Sequence, residues 1–581
     1  MTRKQLIKKY IDFFKSKDHK QIPNSSLIPE NDPTVLFTTA GMQPLVPNLL
    51  GEKHPLGKRL VNNQKCIRTV DFENIGDTYH HTFFEMLGHW SLGDYWKKEA
   101  VEFTLEFITK ILGVPIERLA ASCFKGDKDA PKDTESEQAW LDLGIPKKRI
   151  AFLNKEENFW GPAGKTGPCG PNTEIFYWKL NNKKPPEAFD PQDNNWVELG
   201  NDVLMGYNKN EKGKFKKLEQ KNIDFGGGVE RIVAILNNLE DDYLTDAFKP
   251  IIEEIEYLSG KKYKGNERTM RIIADHIKAA VFIIADGIIP SNTEQGYVLR
   301  RLIRRTIMNL RKLGFVGTDL INPIAEKVFE IYNDYPELKN KEKIFKIIDQ
   351  EEERFDNTLE KGLREFEKMS KNKKISGKEA FLLFQSYGFP LEITKELAQE
   401  KKIKIDEKGF ENELAKHQKL SRTAAEGKFK SGLADNSEAT TRLHTATHLL
   451  NQALREVLKK PDIFQKGSNI TPERLRFDFN FDRKLTDKEQ QKVEDWVNDK
   501  IKKDLLVKVE EMTVSEAKKA GAQGVFESKY GEKVKVYKIG KISTEICAGP
   551  HVKSTGQLGK FKIKKEESSA AGVRRIKAVL E

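Results

Sequence analysis

The sequence predicts an α+β protein of several domains: a mixed helix and strand region first, a mostly helical middle, and a small α/β domain at the end. Its 581 residues exceed what one hydrophobic core organises, so three or four domains are expected. Apolar spacing also changes character along the chain, from strand-like runs interrupted by glycine to helix-face repeats and back to strict alternation. With 38% hydrophobic and 32% charged residues, and no apolar run near the roughly 18 residues of a membrane span, the chain reads as a globular, cytoplasmic protein with no membrane partner. The start, Met1 to Tyr10, threads lysines through its apolar positions and has none of the uninterrupted core of a secretory signal. Four scattered cysteines are too few for a disulfide framework. A net charge of +12 points to a polyanionic partner, although charge alone settles little.

Taken in order, Gln64 to Asp71 and His80 to Gly88 are two strand-like runs joined by a polar loop, an antiparallel hairpin carrying Arg68. Asp224 to Leu236 reads as a strand, the triple glycine Gly226-Gly227-Gly228, then an apolar helix with Arg231 near its start. Glycine lets a ligand approach the backbone, and an arginine there can fork onto a phosphate or stack on a base. From Gly296 to Met308 helical spacing aligns Arg300 with Arg304 and Arg301 with Arg305 opposite an apolar stripe, a helix suited to lie along a phosphate backbone. A solvated face is the plainer reading of such a helix in isolation. From Thr269 to Glu426 the chain is mostly helical, with Ile348, Phe355, Leu359, Leu363 and Phe366 at helix-face spacing. Between Ala424 and Thr441, Gly427, Lys428, Lys430, Ser431, Gly432 and Asn436 replace that periodicity and mark a boundary. Arg474 to Phe481 then alternates, with Leu475, Phe477, Phe479 and Phe481 on one face of a half-buried strand.

The densest chemistry lies in two short segments. His444 and His448 sit at i and i+4, so on a helix both imidazoles leave one face. Cys547 and His551 flank Gly549-Pro550, a turn that can fold both towards that helix. Two paired spacings of zinc-ligand residues predict one Zn²⁺ site built from both segments.

At this point the residues resemble the alanyl-tRNA synthetase family of class II aminoacyl-tRNA synthetases. Arg68 with His80-His81-Thr82-Phe83-Phe84-Glu85-Met86-Leu87-Gly88 is similar to class II motif 2. Gly226 to Arg231 is similar to motif 3, and Leu27 to Thr34 through Gly41-Met42 to the motif 1 region. Further similarity lies in Asn158-Phe159-Trp160, Thr166 to Pro171, Asp275-His276, Gly296 to Arg301 and Ala570 to Ile576.

The resemblance implies an antiparallel-sheet catalytic domain over 1–240, a helical tRNA-recognition domain over 241–426, a linker over 427–440 and an editing domain with zinc over 441–581. It implies that ATP, with Mg²⁺, and L-alanine yield alanyl-adenylate, and that alanine then passes to tRNA-Ala. Arg68 is the catalytic cation at the α-phosphate, with Arg231 at the terminal phosphate and Phe84, Glu85 and Gly228 at ATP. Asp224 pairs with the alanine ammonium, and Trp160, Asn201 and Gly226 complete that pocket. Glu85 and Asp224 each have a second reading as an ion partner within the hairpin, and Trp160 has one as plain core. Because a methyl-sized pocket rejects serine and glycine poorly, hydrolytic editing is expected, with Gln465 beside His444, His448 and Cys547. The family reads a G·U pair in the acceptor stem with an asparagine and an aspartate. Asn292 fits the first, and Gln385 stands at the second without the charge.

Other departures are the absence of room for the family's β-barrel before the histidine pair, and CAGPH in place of the more usual CGGTH. The chain also ends at Glu581 without the coiled coil and C-terminal domain that dimerise these enzymes, so a monomer is expected.

Overall fold

The computed structural model describes all residues except 30–34, 70–71, 181, 318, 372, 427–436, 514–515, 518–519, 523–532, 548 and 571. Parts of the expected motif 1 segment, Val70-Asp71, most of the expected linker, Ala548 and Ala571 therefore lie outside the described residues. The chain forms two compact units, Met1–Asp406 and Glu407–Glu581. Among the described residues, no helix is long and apolar enough to cross a membrane.

The first unit is organised by a nine-stranded sheet. Its strands are β1 (Lys20–Gln21), β2 (Arg59–Ile67), β3 (Phe83–Leu92), β4 (Leu119–Phe124), β5 (Ile150–Leu153), β6 (Phe159–Trp160), β7 (Gly167–Trp178), β8 (Trp196–Lys209) and β9 (Phe215–Gly228), in the order β1-β2-β3-β9-β8-β7-β4-β5, with β6 on β7. Neighbours from β2 through β4 pair antiparallel, and the expected hairpin is β2–β3, in register from Arg59 opposite Ser91 to Ile67 opposite Phe83.

One face of the sheet is packed by helix Arg3–Ser16 and helix Val229–Leu236, where Leu6, Tyr10, Phe14, Val61, Leu87, Phe225 and Ile232 share a core. Helix Arg3–Ser16 starts cleanly because Thr2 and Gln5 satisfy each other's backbone N–H groups. On the opposite face Met42, Leu45, Leu49, Trp90, Val203 and Met205 make a smaller core beside Trp160. Helices follow, among them Glu267–Ala285, Glu294–Lys312, Lys341–Ser370, Gly377–Tyr387 and Leu391–Glu400, with β10 (Lys374–Ile375) and β11 (Lys404–Ile405) as a two-stranded ladder. In Lys341–Ser370 the expected stripe is buried at Ile348, Phe355, Leu359 and Phe366.

The second unit includes helix Glu438–Leu458 and helix Asp487–Lys502. They accompany a sheet of β12 (Gln465–Thr471), β13 (Arg474–Asn480), β17 (Phe561–Ala570) and β18 (Val573–Leu580) in the order β12-β13-β18-β17. A second sheet holds β14 (Val507–Thr513), β15 (Lys533–Ile539) and β16 (Ser543–Ile546). Leu475, Phe477, Phe479 and Phe481 are buried, as the alternation predicts, against Leu449, Leu450 and Leu454 of the first helix.

Candidate active site and candidate metal centre

Strand alternation builds the first site. Side chains two apart on a strand share a face, so Phe84 and Met86 of β3, Asn201 and Val203 of β8, and Asp224, Gly226 and Gly228 of β9 line one cleft. Arg68, one residue past β2, Trp160 of β6 and Arg231 in the first turn of helix Val229–Leu236 close its edges. A Cβ added at Gly226 would lie 3.3 Å from Met86 Sδ, while at Gly228 the nearest atom is Arg231 Cβ at 3.8 Å. The two glycines thus leave backbone as the floor where side chains would otherwise stand.

Arg68 is aimed by three contacts. Its backbone N–H donates to Thr82 O (3.0 Å), its Nε donates to Thr39 O (3.2 Å), and its guanidinium lies over Phe84, 5.1 Å from the ring centre. Arg231 donates from Nη1 to Glu198 (3.3 Å) and stands 5.9 Å from the Tyr79 ring centre. Asp224 accepts a hydrogen bond from Trp90 Nε1 at 2.7 Å. Trp90 reaches it because Gly88 and Gly41 have no side chains: a Cβ at either would meet the indole at 2.5 or 3.0 Å. Burial pushes the Asp224 carboxyl up to about 7, against the Trp90 bond, which favours the anion. Asn201 donates to Glu198 at 3.4 Å. Two arginines face a glycine floor, and a carboxylate waits beside Trp160. Such a cleft suits an anionic chain at one end and a small ammonium compound at the other.

Glu85 is not among these residues. Its odd position on β3 turns it away from the cleft, where it is fully buried and accepts from Arg3, Asn63 Nδ2 (2.7 Å) and Tyr335 OH (2.6 Å). Glu85 is an ion partner, but of Arg3 on helix Arg3–Ser16 and not of a residue in its own hairpin, and it does not face the cleft where the ATP contact was expected.

The arginine helix is corrected in the same way. On helix Glu294–Lys312, Arg300 and Arg304 pair with Glu351 at 3.0 and 2.6 Å. Arg301 pairs with Glu392 and lies 4.3 Å from the Phe72 ring centre, and Arg305, 2% exposed, pairs with Glu396 at 2.6 Å. These are internal ion partners: Arg305 is buried, and Arg300, Arg301 and Arg304 are half-buried with their charge already paired, so the helix does not present the open row of cations that spacing suggests. Asn292 and Gln385 remain exposed. Asn292 accepts from Arg300. Tyr297 and Phe384 lie 6.1 Å apart and hold the helix carrying Gln385 against the start of the arginine helix.

Spacing alone did not reveal Glu198, Tyr79, His80, His81 and Trp90, all in or directly behind the cleft. The signal for Trp90 was its place two residues after Gly88. Glu198 carries none in the sequence.

In the second unit, His444 and His448 lie on helix Glu438–Leu458 with ring centres 5.4 Å apart, and Cys547 and His551 follow β16. One ligand atom from each of the four falls within 4.8 Å of the others. Cys547 Sγ is 3.3 Å from His444 Nε2. His444 Nδ1 donates to Pro550 O (3.0 Å), and His551 Nδ1 meets Thr445 Oγ1 (3.1 Å). Each of these rings therefore turns its Nε2 inwards, and His551 Nε2 is buried without a hydrogen-bond partner. Burial pushes His444 down to about 3 and His448 to about 4, and drives His551 lower still, so the imidazoles are neutral lone-pair donors.

A tetrahedral ion bound at about 2.0–2.3 Å needs ligand atoms roughly 3.3–3.8 Å apart, a small contraction of this set. Oxygen partners on the outer nitrogens are what metal-ligating histidines use. The residues fit a metal ion of zinc's preferences. Gln465, at the start of β12, donates to Ser468 Oγ at 3.1 Å.

A family model described as tRNA synthetases class II (A) matches residues 5–471, and one described as Threonyl and Alanyl tRNA synthetase second additional domain matches residues 534–577. The first match covers most of the chain and sets its class, the class II tRNA synthetases. Among curated proteins, the chain is 52% identical to "Alanine--tRNA ligase" of Treponema denticola, over 100% of this chain and 99% of that protein. It is 51% identical to the protein of that name from Borreliella afzelii, over the whole of both. To that of Thermotoga maritima it is 37% identical, over 100% of this chain and 80% of the relative. The chain belongs to the alanine–tRNA ligase family. The Thermotoga maritima match runs over 700 aligned positions against 581 residues here, so that relative carries long stretches within the match that this chain lacks.

Proposed function

We propose that the first unit joins alanine to ATP and passes it to the 3′ end of tRNA-Ala, and that the second unit hydrolyses tRNA-Ala wrongly charged with serine or glycine. The observation that carries the first part is the cleft itself, with Arg68 and Arg231 across a glycine floor and Asp224 set beside Trp160. MgATP enters as substrate. Arg68 meets the α-phosphate, where negative charge grows as the alanine carboxylate oxygen attacks phosphorus and pyrophosphate leaves. Arg231 holds the terminal phosphate, exchanging Glu198 for it, and Phe84 and Arg231 bracket the adenine. Asp224 ionises to receive the alanine ammonium, which replaces the hydration lost by burial. Asn201 hydrogen-bonds nearby, and Trp160 limits the side chain to about a methyl group. A tRNA hydroxyl then attacks the activated carbonyl and releases AMP. We assign Asn292 and Gln385 to the acceptor stem.

For the second part, His444, His448, Cys547 and His551 are the residues that would hold zinc, which when bound would supply a Lewis acid at the acylated tRNA end. Pro550 O and Thr445 Oγ1 fix the tautomers of His444 and His551, and Gln465 is our choice for the pocket hydrogen bond. The domain limits given above, a cytoplasmic location and a monomeric state belong to the same proposal.

ATP–pyrophosphate exchange with each amino acid in turn tests this reading. Strong exchange with alanine and weaker exchange with serine and glycine are expected. No exchange with any amino acid, from folded protein, would reject the first part and leave a deacylase.

A further inference from the structure

β8 and β9 run on beyond the cleft as a basic hairpin. The eight steps from Asn201 to Lys209 carry the chain about 26 Å from the cleft at strand rise. The turn is rigidly made: Asn210 N donates to Lys214 O (3.0 Å), Asn210 Oδ1 accepts from the N–H groups of Lys212 and Lys214 (both 3.0 Å), and Gly213 takes the φ of +73° the turn requires. Lys212, Lys214, Lys216, Lys217 and Lys221 are exposed against only Glu211 and Glu219. The Tyr207 and Phe215 face packs on Phe159, at ring-centre distances of 6.5 and 5.5 Å. Asn208, opposite Lys216 in the ladder, belongs to the other face.

That other face meets a second, open pocket, separate from the cleft already described. Asn208 and Asn210 of this face line it together with Lys209 and Glu211, and Ser26, Ile28, Thr38 and Glu52 line it from elsewhere in the unit. Asp286 accepts from Lys65 Nζ (2.7 Å), Ser26 Oγ (3.1 Å) and Leu27 N (2.5 Å), Thr38 N donates to Leu27 O (2.8 Å), and Gln295 Nε2 donates to Leu36 O (3.0 Å). The pocket reaches the hairpin at Asn208 to Glu211, next to the exposed Lys212, and its Ser26 and Thr38 side is bonded through Asp286 and Leu27 to the helix that precedes the Asn292 turn. Lys212, Lys214 and Lys216 make no ion pair among the described residues, whereas the arginines of helix Glu294–Lys312 are taken up internally.

We propose that the β8–β9 hairpin is a phosphate-backbone contact for the acceptor arm of the tRNA, made by these exposed lysines without reading bases. This rests on the assignment of tRNA as substrate. Three lysines placed on a turn held by its own backbone bonds lose little freedom on binding, and each phosphate neutralised adds to the salt dependence of affinity.

The test is the Lys212→Glu/Lys214→Glu/Lys216→Glu protein, assayed by filter binding of tRNA-Ala transcript across a salt series and by ATP–pyrophosphate exchange. The expected result is affinity weakened roughly tenfold or more at low salt, and a log–log salt slope shallower by about two to three, at unchanged exchange. A control triple at the exposed Lys98, Lys110 and Lys147 should change the slope far less. Unchanged affinity and slope, or equal losses in the control, would overturn the proposal. If the unsubstituted protein fails to bind the transcript at all, it is the underlying substrate assignment that falls.

Discussion

The two units solve the problem of assembling a site in opposite ways. In the first, side chains from four strands, one helix and the loops between them line a cleft whose charged groups are each held in place by a neighbour: Arg231 by Glu198, and Asp224 by Trp90. In the second, two short segments bring four donor atoms within 4.8 Å, and the inward-facing His551 Nε2 has no partner. The first is a preorganised cleft that a large, multiply charged substrate completes. The second is a point site that one small cation completes. The units are therefore expected to fail independently.

The largest separation should come from Arg68→Ala. Removing a preorganised cation from a site of growing charge costs on the order of 10²–10³ in rate. Pyrophosphate exchange should fall by at least that, while seryl-tRNA hydrolysis is unchanged. Equal loss of both activities would erase the distinction.

Asp224→Asn should lower kcat/KM for alanine by about a hundredfold, the scale of a buried charge-assisted bond. It should also flatten a pH dependence. A carboxyl raised to about 7 by burial keeps a proton in the folded protein that the unfolded chain has released above about pH 4. Ionisation therefore costs stability as pH rises from about 4 to 7, and alanine binding needs the ionised form. The kcat/KM for alanine should climb with pH and level off above about 7 in the unsubstituted protein, and be flat in Asp224→Asn. The same climb in both would assign it elsewhere.

Cys547→Ala is the reciprocal change. It should strip the bound zinc, measured by elemental analysis after dialysis, and cut seryl-tRNA hydrolysis by about a hundredfold or more, beyond the ten- to hundredfold loss typical of a partner one shell further out, with exchange intact. The smallest effect belongs to Trp160→Phe. A looser wall should narrow the alanine-over-serine ratio in exchange by only severalfold, since such contacts are worth about 1–3 kcal/mol.

Much of this was legible in the sequence where function compresses into a few neighbouring residues. The histidine pair, the β2–β3 hairpin and the glycine-rich end of β9 all occur where spacing places them. Glu85 was misjudged because β3 is buried on both faces, which hides the period of two that sends Phe84 and Met86 to the cleft and Glu85 to Arg3. The arginine helix was misread for a related reason. Its partners Glu351, Glu392 and Glu396 come from helices 47 to 91 residues away, so the sequence showed positive charge but not its neutralisation. Glu198 and Tyr79 gain meaning only once β8 and the loop before β3 meet Arg231.

The most direct test of the two-site account is to strip metal from the protein with a chelator, then measure alanine-dependent pyrophosphate exchange and seryl-tRNA hydrolysis on the same sample before and after adding zinc back. The account predicts exchange that is indifferent to zinc and hydrolysis that disappears and returns with it. Exchange that falls with the metal, or hydrolysis that survives its removal, would contradict it.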